Sequence, residues 1–161
     1  MEKKKTKKLV ALILVVVAVI IVAAIALRKY IPSNETMSLS DYYGIDDAMD
    51  VALVVDNEQL ETQGRYMDGA IYLPYSVVHE YINPRFYLDE TEGDILYTTS
   101  AETISVNEGE NELKRDGEKM MFDAPVFSKE DDAFYLSLDF VMEFSDVEST
   151  VYEDPDRVVF I

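Results

Sequence analysis

The chain has 161 residues, 14 Lys/Arg against 32 Asp/Glu for a formal charge of −18, one histidine, and neither cysteine nor tryptophan. That inventory excludes a disulfide framework, a thiolate nucleophile and any Cys-type metal site. It also excludes nucleic acid as a partner, because residues 31–161 hold seven basic against thirty-one acidic residues, −24, and offer no basic stripe to displace counterions from phosphates.

Residues 1–8 carry Lys3, Lys4, Lys5, Lys7 and Lys8, and residues 9–27 follow as nineteen apolar residues, LVALILVVVAVIIVAAIAL, closed by Arg28 and Lys29. Such a helix would span about 28 Å, close to the hydrocarbon thickness of a bilayer. Residues 9–27 are therefore expected to be a transmembrane helix whose partner is the lipid bilayer. Five lysines before it and two basic residues after it predict a cytoplasmic N-terminus and an extracellular C-terminal domain in the cell membrane. The alternative is a cleaved signal peptide with Ala24-Ile25-Ala26 as its small-x-small site. The long apolar run and the charged Leu27-Arg28-Lys29 that cleavage would leave at the new N-terminus favour an uncleaved anchor. An outer domain without disulfides fits a Gram-positive bacterial surface.

Residues 28–50 read as a juxtamembrane linker, with a short helix over 41–49 entered through Ser40. Residues 51–55, VALVV, read as a buried strand. An internal repeat at an offset of sixty-three residues lays Ala70-Ile71-Tyr72-Leu73-Pro74 over Ala133-Phe134-Tyr135-Leu136-Ser137 without a gap. The offset extends to Val78 and Glu80 over Val141 and Glu143, and to Ile95-Leu96-Tyr97 over Val158-Val159-Phe160.

Each copy predicts a hairpin, a short helix and a second hairpin. In the first copy, residues 65–67 and 71–73 flank the turn Asp68-Gly69; in the second, 125–127 and 134–136 flank 128–132. Val77, Val78, Tyr81 and Ile82 form one apolar helix stripe and Phe140, Val141 and Phe144 the other, with Glu80 and Glu143 facing water. The closing hairpins pair 86–88 with 95–99 and 151–152 with 158–161. The expected fold is α+β, a single N-terminal transmembrane helix and then two β-β-α-β-β stalk-type repeats with antiparallel sheets, at residues 51–99 and 123–161. Residues 100–122 form a connector with one strand at 103–106 and turns at 108–111 and 116–117.

The Asp/Gly turn, Tyr72-Leu73-Pro74, the helix with Val77-Val78 and the hairpin ending Tyr97-Thr98-Thr99 resemble the stalk modules named after the N-terminal domain of copper amine oxidases. Tyr135-Leu136-Ser137 repeats the strand-to-helix step without its proline. The terminal hairpin of that family often carries Trp-Asp, where Leu88-Asp89 and Tyr152-Glu153 stand here. The resemblance implies the fold, and neither copper nor amine oxidation. The order of anchor, linker and two stalk units, with the ending Val151 to Val159, is similar to the N-terminal region of membrane-anchored family-18 glycoside hydrolases of Clostridia-like bacteria. In those a catalytic barrel follows, so a chain stopping at Ile161 is expected to be a fragment or truncated product.

The catalytic strand of that glycosidase family reads Asp-x-x-Asp-x-Glu, because one carboxyl must protonate the leaving oxygen beside a second. Asp47 and Asp50 match its first half only, and Val51-Ala52 follow. No catalytic, cofactor-binding or metal-binding residue is therefore assigned. His79 reads as a boundary residue, and Asp89 to Asp94 as a hairpin turn whose Gly93 is misplaced for an EF-hand. Tyr42, Tyr43, Tyr66 and Tyr87 are the candidate contacts for a cell-wall glycan or surface protein, since aromatic faces stack on sugar rings and the other aromatics fall largely on core faces. The expected function is a non-catalytic, membrane-anchored extracellular stalk or spacer at the bacterial surface, within a cell-wall or glycan-acting protein. The alternatives are an N-terminal fragment of a family-18 hydrolase and an acidic module binding a protein or peptidoglycan.

Overall fold

Five β-branched or aliphatic residues in a row leave a strand no polar face, and 51–55 form β1 (Asp50–Val55), buried on both sides over most of its length. The computed structural model describes residues 13–23, 25, 36–130 and 132–160. It falls into two units, one up to Thr36 and one from Met37 onward. In the first unit residues 13–23 are helical (α1). Residues 9–12, 24, 26 and 27 of the expected anchor lie outside the described residues, and among the described ones no helix is long and apolar enough to cross a membrane.

The second unit opens with α2 (Leu39–Tyr43), not the helix expected over 41–49. Ser38 is its N-cap, with Oγ accepting from the Asp41 N–H at 3.0 Å, and Gly44 ends it in the left-handed region at φ 64°. After β1 come β2 (Glu58–Gln59), the hairpin β3 (Gly64–Met67) and β4 (Ala70–Pro74), and α3 (Tyr75–Val77), which runs into a π-helical turn (Val78–Ile82). The hairpin β5 (Phe86–Asp89) and β6 (Asp94–Thr98) follows, then β7 (Thr103–Asn107), and a hairpin β8 (Glu112–Arg115) and β9 (Glu118–Met121). The second copy supplies β10 (Phe127–Glu130), β11 (Ala133–Ser137), α4 (Leu138–Glu143), β12 (Ser149–Tyr152) and β13 (Arg157–Phe160). The fold is α+β, with largely antiparallel sheets.

The sixty-three-residue offset recurs in the pairing. Tyr66 opposite Ile71 becomes Lys129 opposite Phe134, and Phe86 opposite Tyr97 becomes Ser149 opposite Phe160. Across the seam between copies, Leu73 pairs with Leu136, its own counterpart, flanked by Tyr72 opposite Ser137 and Pro74 opposite Tyr135. A pseudo-two-fold axis therefore passes between two fully buried leucines. The main sheet runs β10-β11-β4-β3-β1-β13-β12, with β2 beside β1, and β5-β6-β7 form a second sheet. Each closing hairpin gains a third strand from outside its copy. β7 joins β6 antiparallel, whereas β1 joins β13 in parallel, Leu53 opposite Val158.

Both helices face one shared core. Phe140 is fully buried, with Phe86 of the first copy 5.4 Å from its ring centroid, and Tyr97 packs against Phe144 at 4.8 Å. Asn83 Nδ2 donates to the Phe144 carbonyl at 2.7 Å, tying the end of one helical segment to the end of the other. Pro74 and Ser137 stand at matching helix entries, and the buried Ser137 accepts from the Phe140 N–H at 3.3 Å where proline offers no such cap.

One member of the expected stripes is displaced. Val77 and Val78 are buried and Ile82 is half-buried, but Tyr81 is exposed. The Asn83 N–H bonds to the Val78 carbonyl, a π-type i→i+5 link, and the wider turn rotates Tyr81 off the face that a 3.6-residue period would give it. Gly64 is required for packing, since a Cβ there would lie 2.7 Å from the Tyr72 carbonyl oxygen and 3.3 Å from Leu53 Cδ2.

Candidate functional site

Two surface features collect side chains able to recognise a ligand. The first is built around the Asp68-Gly69 turn, whose φ values of 50° and 83° suit the primed turn that matches strand twist. Tyr66 on β3 and Ile71 on β4 sit opposite each other beside this turn. The segment between β9 and β10 brings Asp123 and Ala124, α4 brings Leu138 and Asp139, and β12 brings Val151, enclosing an open cleft of about 300 Å³. Ala124 and Leu138 are buried, and Tyr66 is 40% exposed. Asp68, Asp123 and Asp139 are exposed around it.

Below this turn lies Tyr72, fully buried, its hydroxyl donating to the Pro125 carbonyl at 2.7 Å. Burial, and then the Asp68 carboxylate, push its phenol up to about 12. Arg65, also on β3, holds the hairpin to its neighbours: NH1 lies 2.5 Å from Asp50 Oδ1 on β1 and Nε 3.3 Å from Glu130 Oε2 on β10. Those two hydrogen bonds outweigh desolvation and raise the guanidinium above its ordinary value.

The second feature is an aromatic strip beside α2. Tyr42 and Tyr43 meet edge to face at 5.0 Å. The Arg157 guanidinium lies 5.4 Å from the Tyr43 ring and 4.4 Å from the Tyr152 ring, so three tyrosines follow one another through a cation. Gln59 Nε2 donates to the Tyr43 carbonyl at 2.8 Å and Gln63 Nε2 to the Gly44 carbonyl at 2.6 Å, fixing the short helix. Tyr42 is 63% exposed and Tyr152 43%, whereas Tyr43 is half-buried.

The four tyrosines singled out in the sequence thus separate into different environments. Tyr42 and Tyr43 share the strip, Tyr66 walls the cleft, and Tyr87 stands exposed on β5 in the second sheet, opposite Leu96. Tyr152 and Arg157 were missed because nothing local in the chain places either beside residue 43. The acidic run 89–94 is a hairpin turn, with Asp89 Oδ1 accepting from the Thr91 and Glu92 N–H groups.

A family model for the copper amine oxidase N-terminal domain matches residues 54–160 as one continuous stretch across both copies. The chain belongs to that family. The copper amine oxidase N-terminal domain is a non-catalytic type of module. No curated protein and no solved structure matches the chain. His79, the one histidine, donates through Nδ1 to the Phe86 carbonyl at 2.8 Å and stacks on Tyr75, and among the described residues no group of three His, Cys, Asp or Glu side chains is placed to hold an ion.

Proposed function

We propose that this copper amine oxidase N-terminal-type chain is a non-catalytic stalk at a bacterial cell surface, anchored through residues 9–27 and carrying its folded unit outside the membrane. The observation that carries the reading is the family match over residues 54–160 beside a lysine-flanked run of nineteen apolar residues. The two copies, 51–99 and 123–161, act as stalk repeats joined by 100–122, and they share one core across the Leu73–Leu136 seam. A shared core makes the spacer one stiff body, which suits holding a wall-directed partner at a set distance from lipid. The family-18 glycosidase association enters as the kind of protein such a stalk serves; this chain supplies position, and its tyrosine strip a contact for wall glycan or a surface protein.

The full chain, purified in detergent, is expected to release no product from chitin oligosaccharides or peptidoglycan fragments over a day at protein concentrations where a family-18 hydrolase is complete in minutes. Turnover that survives repurification and is abolished by substituting one acidic residue of this chain would make it an enzyme and overturn the reading.

A further inference from the structure

The aromatic strip beside α2 contains a cation that closure of its own hairpin does not require. Tyr152 and Arg157 face each other as the closing pair of the β12–β13 hairpin, and sixty-three residues earlier the same place in the β5–β6 hairpin is taken by Asp89 opposite Asp94. Both hairpins turn over four residues, so neither a ring nor a guanidinium is demanded by the turn. Asp154 and Asp156 stand in the second turn, yet among the described residues Arg157 pairs with no carboxylate, in a chain with 32 Asp/Glu. Its guanidinium lies over the rings of Tyr43 and Tyr152, and its one hydrogen bond runs from Nη1 to the Pro155 carbonyl at 3.3 Å. A guanidinium has N–H donors all along its planar edge, so most of that edge has no acceptor from the chain.

Exposed ring faces stack on the C–H face of a pyranose, and a free N–H edge beside them calls for an acceptor on the same ligand. Residues 31–161 carry −24, a field that repels anions, so the acceptor is a neutral one. We propose that the strip binds a neutral polysaccharide of N-acetylated hexosamine, with sugar rings on Tyr42 and Tyr152 and an acetamide carbonyl accepting from Arg157. Aromatic faces in series match a polymer that presents a flat face at each repeat, which a glycan does and a peptide does not. The platform is set before the ligand arrives: Tyr42 meets Tyr43 edge to face, and Gln59 and Gln63 hold the backbone of α2 at Tyr43 and Gly44, so binding orders little. This rests on the wall contact assigned to the strip above and narrows it to one ligand class.

The probe is the β-1,4-linked hexamer of N-acetylglucosamine, titrated into the full chain in micelles of a detergent without a sugar headgroup while backbone amide signals are followed by NMR. Saturable shifts are expected at residues 42–43, 152 and 157. Cellohexaose, with a hydroxyl in place of each acetamide, is expected to bind about tenfold more weakly, the loss of a hydrogen bond to a charged group. Tyr42→Ala with Tyr152→Ala should abolish saturation, with the spectrum away from the strip unchanged because both rings are exposed. Arg157→Lys keeps the charge without the planar donor edge and should erase the preference for the acetylated hexamer. Tyr81→Ala removes an exposed ring elsewhere and should leave affinity unchanged. Absence of saturable shifts, equal affinity for cellohexaose, or equal loss in Tyr81→Ala would each overturn the proposal. Tighter binding of a galacturonic acid hexamer would overturn the neutral ligand, and tighter binding of hexaproline would assign the strip to a protein instead. Titration in micelles is indifferent to topology, so its failure would leave the anchored stalk standing.

Discussion

Replacing Phe140 with alanine is expected to cost about 3–5 kcal/mol of unfolding free energy in a denaturant titration. The side chain is fully buried in α4, and its ring centroid lies 5.2 Å from Phe144, 5.4 Å from Phe86 and 5.8 Å from Phe122. Truncation removes the transfer free energy of a phenyl group and leaves a cavity walled by three other rings, which cannot all collapse inward because each is also packed elsewhere. Phe86 belongs to the first copy and Phe144 to the second, so the loss should lower a single transition shared by both copies. A change below about 0.5 kcal/mol would place the residue at the surface and contradict the helix stripe. A second transition appearing with the first copy still folded would contradict the shared core.

Tyr72 is expected to make the domain lose stability in alkali. Its folded-state pKa is raised, so its contribution is fully present below the unfolded value of about 10 and is lost as pH climbs through about 12. Within that window the slope for this group is about 1.4 kcal/mol per pH unit. Tyr72→Phe removes the titration and the hydrogen bond to Pro125, so at neutral pH the variant should be less stable by about 1 kcal/mol. The ordering should then reverse between pH 10 and 12, where the wild type must keep a buried phenol protonated and the variant need not. Urea midpoints of the two proteins at pH 8 and pH 11.5 check this, and a gap that stays constant across the window would show that the phenol ionises freely in the folded state.

Much of the fold was legible in the chain because its strongest signals are local. Asp68-Gly69 marks a tight turn, the β-branched run at 51–55 marks a buried strand, and the repeat of Tyr72-Leu73 as Tyr135-Leu136 reports that two segments adopt one structure. What escaped depends on contacts between distant residues. The parallel pairing of β1 with β13 joins Leu53 to Val158, and no short-range pattern encodes it. The β8–β9 hairpin was read only as a turn at Asp116-Gly117, since its strands, ELKR and EKMM, bury just Leu113 and carry little alternation. Tyr81 followed the α-helical period in the sequence and left the core because the backbone takes a π turn there.

The candidate site was half legible for the same reason. An exposed tyrosine can be guessed from its place in the pattern, and Tyr66 and Tyr42 stand where solvent reaches them. The company each keeps comes from the tertiary fold: Asp123, Asp139 and Val151 reach the cleft from three separate segments, and Arg157 reaches Tyr43 from the far end of the chain. Arg65, whose guanidinium joins β1 to β10 through the ion pairs with Asp50 and Glu130, had no sequence signal, because its partners lie fifteen and sixty-five residues away.

Topology in intact cells tests the anchored stalk most directly. With the full chain expressed and an epitope tag at each end, protease added outside should digest the folded unit from Met37 onward and spare the N-terminal tag until the membrane is permeabilised. Sodium carbonate should leave the N-terminal fragment in the membrane pellet. Protection of the C-terminal tag in intact cells, or recovery of the N-terminal tag in the soluble fraction, would contradict an outward-facing domain held by residues 9–27.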